Sequence, residues 1–166
     1  MKMLNSVHDL YIELIKDIYH AEVLLISELQ FFIPQSSSQR FTNILRHHLT
    51  TVRIHTARLE EILKAIDADM LQEHSRAMKS MSMETKKPMD RHNITHHVMV
   101  EALHRITNAM STTYQLLISM ANELTFSEQK RILKKQLEEV VHFDNQINSC
   151  GFSIPFNNLN LQQKLS

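Results

Sequence analysis

Three residues able to do acid–base or metal chemistry stand where apolar side chains belong. In "RHHLTTVRIH", residues 46–55, His48 and His55 fall on the stripe Phe41, Leu45, Val52, Leu59, Ile62 and Ile66. Glu22 falls likewise on the stripe Leu4, His8, Tyr11, Ile15, Ile18, Leu25 and Leu29. Spacings of three and four mark one face of a helix. An ionised carboxylate on such a face needs a partner or a metal. Two chemistries satisfy the pattern: Glu22 hydrogen-bonded to His48 or His55 with no metal, or a carboxylate–imidazole ligand set. A Glu–His pair would favour the charged form of both groups, while burial would oppose it.

Di-metal sites in helix bundles take Glu from two helices and Glu-x-x-His from the other two. That spacing occurs as "EALH" at 101–104 and "EVVH" at 139–142. Glu101 shares its face with Arg105, Asn108 and Thr112, a solvent-facing set. Glu139 lies with Ile132, Gln136 and Phe143 beside the main seam, with His142 turned outward. Its plain reading is an exposed carboxylate, its functional one a ligand. Asp144, at a seam position near a helix end, either adds a second acid or simply reaches water.

Long helices must position these groups. The chain holds one glycine, Gly151, and three prolines, at 34, 88 and 155. A sheet protein needs many turns, a bundle of a few long helices almost none. The first stripe predicts a helix over about 6–33, capped by Ser6 in "SVHD" and closed at Pro34. A second helix follows over about 38–67, after a turn so short that the two are antiparallel neighbours. Counting back from that turn places Glu22 level with His48 to Val52. Residues 68–90 break the pattern and read as a long crossover containing a short amphipathic helix. A third helix, about 91–124, carries Met99, Leu103, Ile106, Met110, Thr113, Leu117, Met120 and Leu124, flanked by Thr107 and Tyr114. A fourth, after "LTFSEQ" with Ser127 or Thr125 as cap, carries Leu133, Leu137, Val140, Asp144 and Ile147, and ends at Gly151 where a left-handed residue is wanted. The expectation is an all-α, ferritin-like antiparallel four-helix bundle over residues 1–150, with a C-terminal tail over 151–166.

At 166 residues, 43% apolar and 22% charged, one domain with a real core is expected. Eighteen basic against eighteen acidic residues give no field favouring nucleic acid or an anionic membrane. No apolar run approaches the roughly 20 residues that span a bilayer. The lone cysteine, Cys150, cannot pair within the chain, and residues 1–30 lack a signal-peptide core, so a cytoplasmic location is expected.

"HDLYIELIKDIYHAEVLLISEL" at 8–29, "FTNILRHHLTTVRIHTARLEEIL" at 41–63, "SRAMKSM" at 75–81 and "ISMANELTFSEQKRILKKQLEEVVHFDNQI" at 118–147 resemble the YciE/YciF family of small bacterial ferritin-like proteins. The resemblance covers about residues 4–149 and implies a stress-linked protein, often called metal-binding from its fold, with no firmly established enzymatic activity. It matches Glu22 to the family's first-helix Glu, His48 to its second-helix His, Tyr114 to its third-helix Tyr and Glu139 to one acid of its fourth-helix pair, with Asp144 kept. The departures are heavier. Thr50 and Thr51 replace acids, Thr107, Asn108, Ala109 and Met110 stand for "EHYE", Val140 replaces the second acid, and His55 replaces a Gln. Hydroxyls and amides are poor substitutes for bridging carboxylates. The resemblance therefore implies a di-iron site reduced or lost, with Glu22, His48, His55 and Glu139 left to hold a single iron or other divalent metal, or none. An oxidase role is disfavoured by the missing acids.

Two rival readings come from other classes. His92, His96 and His97, with Met78, Met81, Met83 and Met89 upstream, suit Cu(I) on a surface crossover; the plain alternative is adaptable core methionine and solvated histidine. The other needs no ligand: a structural or stress-associated protein that forms a homodimer through Leu116, Ile118, Val141 and the Phe-bearing tail.

Overall fold

The structure is a computed structural model that describes residues 6–66 and 95–151. Those residues form four long helices: α1 (Val7–Phe32), α2 (Gln39–Ile66), α3 (His96–Glu123) and α4 (Ser127–Gly151). The crossover, with the short helix expected in it, and the tail lie outside the described residues.

Local chemistry sets the helix ends. Ser6 caps α1, its hydroxyl accepting from Asp9 N–H at 3.1 Å. The helix tightens into a 3₁₀ turn, Ile33–Gln35, at Pro34, whose missing N–H cannot continue the ladder. Ser38 then accepts from Phe41 N–H at 3.3 Å at the start of α2. Thr95 caps α3. After α3, Phe126 N–H reaches back to Ala121 O at 2.8 Å and Thr125 N–H to Asn122 O at 3.2 Å, a Schellman closure. The left-handed residue of that closure is Thr125, φ 59°. At the other end of the pair, α4 stops at Gly151 as expected, but without the left-handed backbone expected of that glycine.

Side-chain pairs fix the topology. Tyr19 with Glu60 and Glu22 with His55 run α1 against α2. Tyr11 with Phe126 and Glu22 with Tyr114 run α1 against α3. His48 with Phe143 and His55 with Glu139 run α2 against α4, and His96 with Cys150 and His104 with Asp144 run α3 against α4. Each neighbouring pair is thus antiparallel. Phe41 and His96, near the starts of α2 and α3, have ring centroids 4.5 Å apart, so those helices start at one end and run parallel. The end of α2 and the start of α3 therefore lie at opposite ends of the bundle, about 42 Å apart, the length of the 28-residue α2.

The seams of α1 and α2 follow the expected stripes, with Tyr11, Ile15, Ile18, Leu25, Leu29, Phe41, Leu45, Val52 and Leu59 buried. Those of α3 and α4 keep Met99, Leu103, Met110, Leu117, Met120, Leu133, Val140 and Ile147 buried as expected but are rotated slightly about them. Thr107 and Tyr114 are buried where Ile106 and Thr113 were expected, and Gln136 and Phe143 where Leu137 and Asp144 were expected. The rotation is stabilised by polar bonds: Thr107 donates to Asp144 at 2.6 Å and Tyr114 donates to Glu22 at 2.5 Å. No described helix is long and apolar enough to cross a membrane.

Candidate functional site

Half-way along the bundle, four side chains from all four helices form one chain of hydrogen bonds. Glu22 (α1) is fully buried, and its Oε1 accepts from the Tyr114 hydroxyl (α3) at 2.5 Å. The same oxygen lies 2.9 Å from Nδ1 of His55 (α2), also fully buried. Nε2 of His55 lies 2.7 Å from Oε2 of Glu139 (α4), whose side chain is 34% exposed. Arg58, one turn beyond His55, places Nη1 3.7 Å from that Glu139 oxygen, an ion-pair contact too long for a hydrogen bond.

A carboxylate accepts and does not donate, so each His55 nitrogen that faces one carries a proton, and a ring donating at both is an imidazolium. Burial works against that charge. The hydrogen bonds and fields of Glu22 and Glu139 outweigh it, and the His55 pKa is raised above 6.5. Burial, followed by the charge of Glu22, also pushes the Tyr114 hydroxyl well up, so it stays a donor.

His48 is placed differently from the other three. It does not meet Glu22, which pairs instead with His55, about one turn beyond the stretch His48 to Val52 that counting from the turn had placed level with it. Its ring stacks on Phe143, centroids 3.6 Å apart and planes 4° from parallel, and its buried Nε2 has no partner. Burial, then the charges of His55, His47 and His142, bring its pKa down to about 3, so it is neutral. His48 and Phe143 line an open groove of about 220 Å³ between α2 and α4, rimmed by His47, Glu138, Glu139 and His142. Glu22 Oε2 and both amide atoms of the buried Gln136 also lack partners.

A second polar cluster joins α3 and α4. Asp144 receives His104 Nδ1–H at 2.8 Å, the Thr107 hydroxyl at 2.6 Å and the Asn148 amide at 3.0 Å. Asp144 therefore does not simply reach water. His104, from the "EALH" spacing, is held here, while Glu101 is exposed and pairs with Arg105. Of the residues weighed for copper, His96 bonds Cys150 O at 3.0 Å and His97 is exposed; the others lie outside the described residues.

The structure thus unites Glu22, His55 and Glu139 and leaves His48 aside. Sequence reasoning missed Arg58, which one helical turn from His55 could have signalled. It placed Tyr114 beside the stripe of the third helix, and at the site only through the family resemblance. As arranged, these residues do not fit a di-metal centre. Bridging needs carboxylate oxygens aimed at the ions, whereas Glu22 Oε1 and Glu139 Oε2 are joined by an imidazole with no free nitrogen. Among the described residues, no three His, Cys, Asp or Glu side chains are disposed to hold a metal ion.

Two antiparallel helix pairs, with α2 and α3 starting at the same end, define a ferritin-like four-helix bundle. The chain belongs to the family DUF892, a domain of unknown function, which residues 6–151 match; this is the YciE/YciF-like group. Its fold is similar to YcfI of Rhodopseudomonas palustris, described as a candidate structural protein, at a TM-score of 0.69 and 19% identity over 89% of this chain and 96% of that one. It is equally similar to the E. coli stress protein YciF, at a TM-score of 0.69 and 17% identity over the same shares. No curated protein matches the chain.

Proposed function

We propose that this protein is a non-catalytic, stress-related, cytoplasmic member of its family, working as a helical structural or interaction module without a resident metal. The observation that carries this reading is His55, whose two ring nitrogens are both engaged by carboxylates. An imidazole engaged at both nitrogens has no lone pair left to offer a metal in this arrangement. The stress association rests on the fold likeness to YciF and the structural role on the likeness to YcfI.

Self-association belongs to the same reading. Leu116 and Val141 are exposed apolar side chains, as are Ile54 and Val98, whereas Ile118 packs partly on the core. Sedimentation at high micromolar concentration should show a homodimer; a strict monomer would remove this part.

Elemental analysis tests the metal-free reading. Untagged protein from metal-supplemented cells should carry close to no iron, manganese or zinc per chain. About one or two ions per chain, lost in both Glu22→Ala and His48→Ala, would overturn the proposal and reopen oxidase chemistry.

A further inference from the structure

A ferritin-like bundle with a divalent ion at its centre places two positive charges among carboxylates contributed by several helices. Here two carboxylates, Glu22 and Glu139, approach the centre from α1 and α4, and both positive partners come from one face of α2. His55 stands between them at 2.9 and 2.7 Å, and Arg58, three residues on, lies 3.7 Å from Glu139. Two carboxylates, one imidazolium and one guanidinium sum to zero. An isolated buried charge is very costly, and a cluster whose charges compensate one another is tolerated.

We propose that His55 and Arg58 together stand in for a divalent metal, cross-linking Glu22 of α1 to Glu139 of α4 through α2, with the Tyr114 hydroxyl tying α3 to the same carboxylate oxygen. The inference rests on the metal-free reading above and adds a residue-level replacement to it. It accounts for a histidine, not an amide, between two carboxylates. An amide cannot carry positive charge and cannot donate from two opposite edges, while a protonated imidazole does both. It also gives Tyr114 a use without a metal, as the donor that shares Glu22 Oε1 with His55.

Nitrogen-15 NMR of the histidine rings in the full-length chain tests the replacement, with Co(II) as the metal probe. His55 should show two protonated ring nitrogens at neutral pH, with slowly exchanging N–H protons, and a tenfold excess of Co(II) should leave these signals unchanged. Glu139→Gln, altered at the half-exposed end of the chain, should speed exchange of the Nε2 proton and leave the Nδ1 proton protected; His55→Gln supplies the assignment. A His55 ring with one bare nitrogen and no response to Co(II) would overturn the replacement while the metal-free reading stood. Paramagnetic loss of the His55 signals at one Co(II) per chain would overturn both. Unchanged exchange of Nε2–H in Glu139→Gln would remove the α4 half of the cross-link.

Discussion

The ring of His48 lies flat on that of Phe143, 3.6 Å between centroids, and this stack buries an imidazole that the fold keeps neutral. An unfolded chain takes up a proton on His48 near pH 6.5, the folded chain only near pH 3. Between those values the unfolded state binds more protons, so the stability is complete above about pH 6.5 and is lost as pH falls. One proton of difference is worth about 1.4 kcal/mol per pH unit, or roughly 2 kcal/mol between pH 6.5 and 5. Urea midpoints of the wild type should fall over that range, and His48→Phe should flatten the fall while preserving the stack. An equally steep acid limb in His48→Phe would remove His48 as its cause.

His55 works with the opposite sign. Burial opposes its charge, Glu22 and Glu139 outweigh burial, and its folded pKa lies above 6.5. The stabilisation is full below pH 6.5 and is lost as pH rises through the folded pKa. His55→Gln should therefore be less stable by about 3 kcal/mol at pH 6, as for one partner removed from a buried ion pair, with the deficit shrinking on the alkaline side. A deficit independent of pH would mean that His55 acts through packing alone.

Much of this architecture is legible in the sequence, and the reason differs from helix to helix. On α2, Phe41, Leu45, Val52, Leu59 and Ile62 repeat without a competing apolar face, so even His48 and His55 could be placed in the core. On α3, Ile106 and Ile118 compete with the true seam, and a reading by residue type prefers Ile106 over Thr107. What turns the helix toward Thr107 and Tyr114 is two hydrogen bonds to residues 37 and 92 positions away, Asp144 and Glu22. Periodicity contains no information at that range. The α4 seam shifts the same way around Leu133, Val140 and Ile147: Leu137 outranks Gln136 by type, and a place beside the seam with Phe143 does not announce that the amide will be fully buried. The meeting of Glu22 with His55 rather than His48 depends on helix register, which counting from a turn leaves uncertain by a turn or two.

Gln136 is fully buried and neither amide atom has a protein partner. An unsatisfied buried polar group costs about 1–3 kcal/mol, and methionine has nearly the same length and volume. Gln136→Met should raise stability by about 1–2 kcal/mol in urea melts at neutral pH. A loss of stability would show that the amide is bonded in solution and contributes to the core.

Thr125 occupies the left-handed position after α3 at φ 59°. A β-branched residue there is strained, and glycine has no Cβ to clash. Both closing bonds use backbone atoms only, so Thr125→Gly keeps them. The variant should gain about 0.5–1 kcal/mol, since the strain relieved exceeds the added freedom of the unfolded chain. Thermal melting below that of the wild type would place the strain elsewhere.

Glu22 Oε1 accepts from both Tyr114 and His55, so the value of the tyrosine bond depends on the charge it meets. A hydrogen bond to a charged group is worth about 1.5–3 kcal/mol and one to a neutral group about 0.5–1.5. Tyr114→Phe should cost the larger amount in the wild type and the smaller in Glu22→Gln, where the side chain keeps its shape and carries no charge. The difference, about 1–2 kcal/mol, is the coupling of a double-mutant cycle read from urea unfolding. Equal costs in both backgrounds would show that the hydroxyl meets no charge at residue 22, and the charge balance among Glu22, His55, Glu139 and Arg58 would have to be drawn without it.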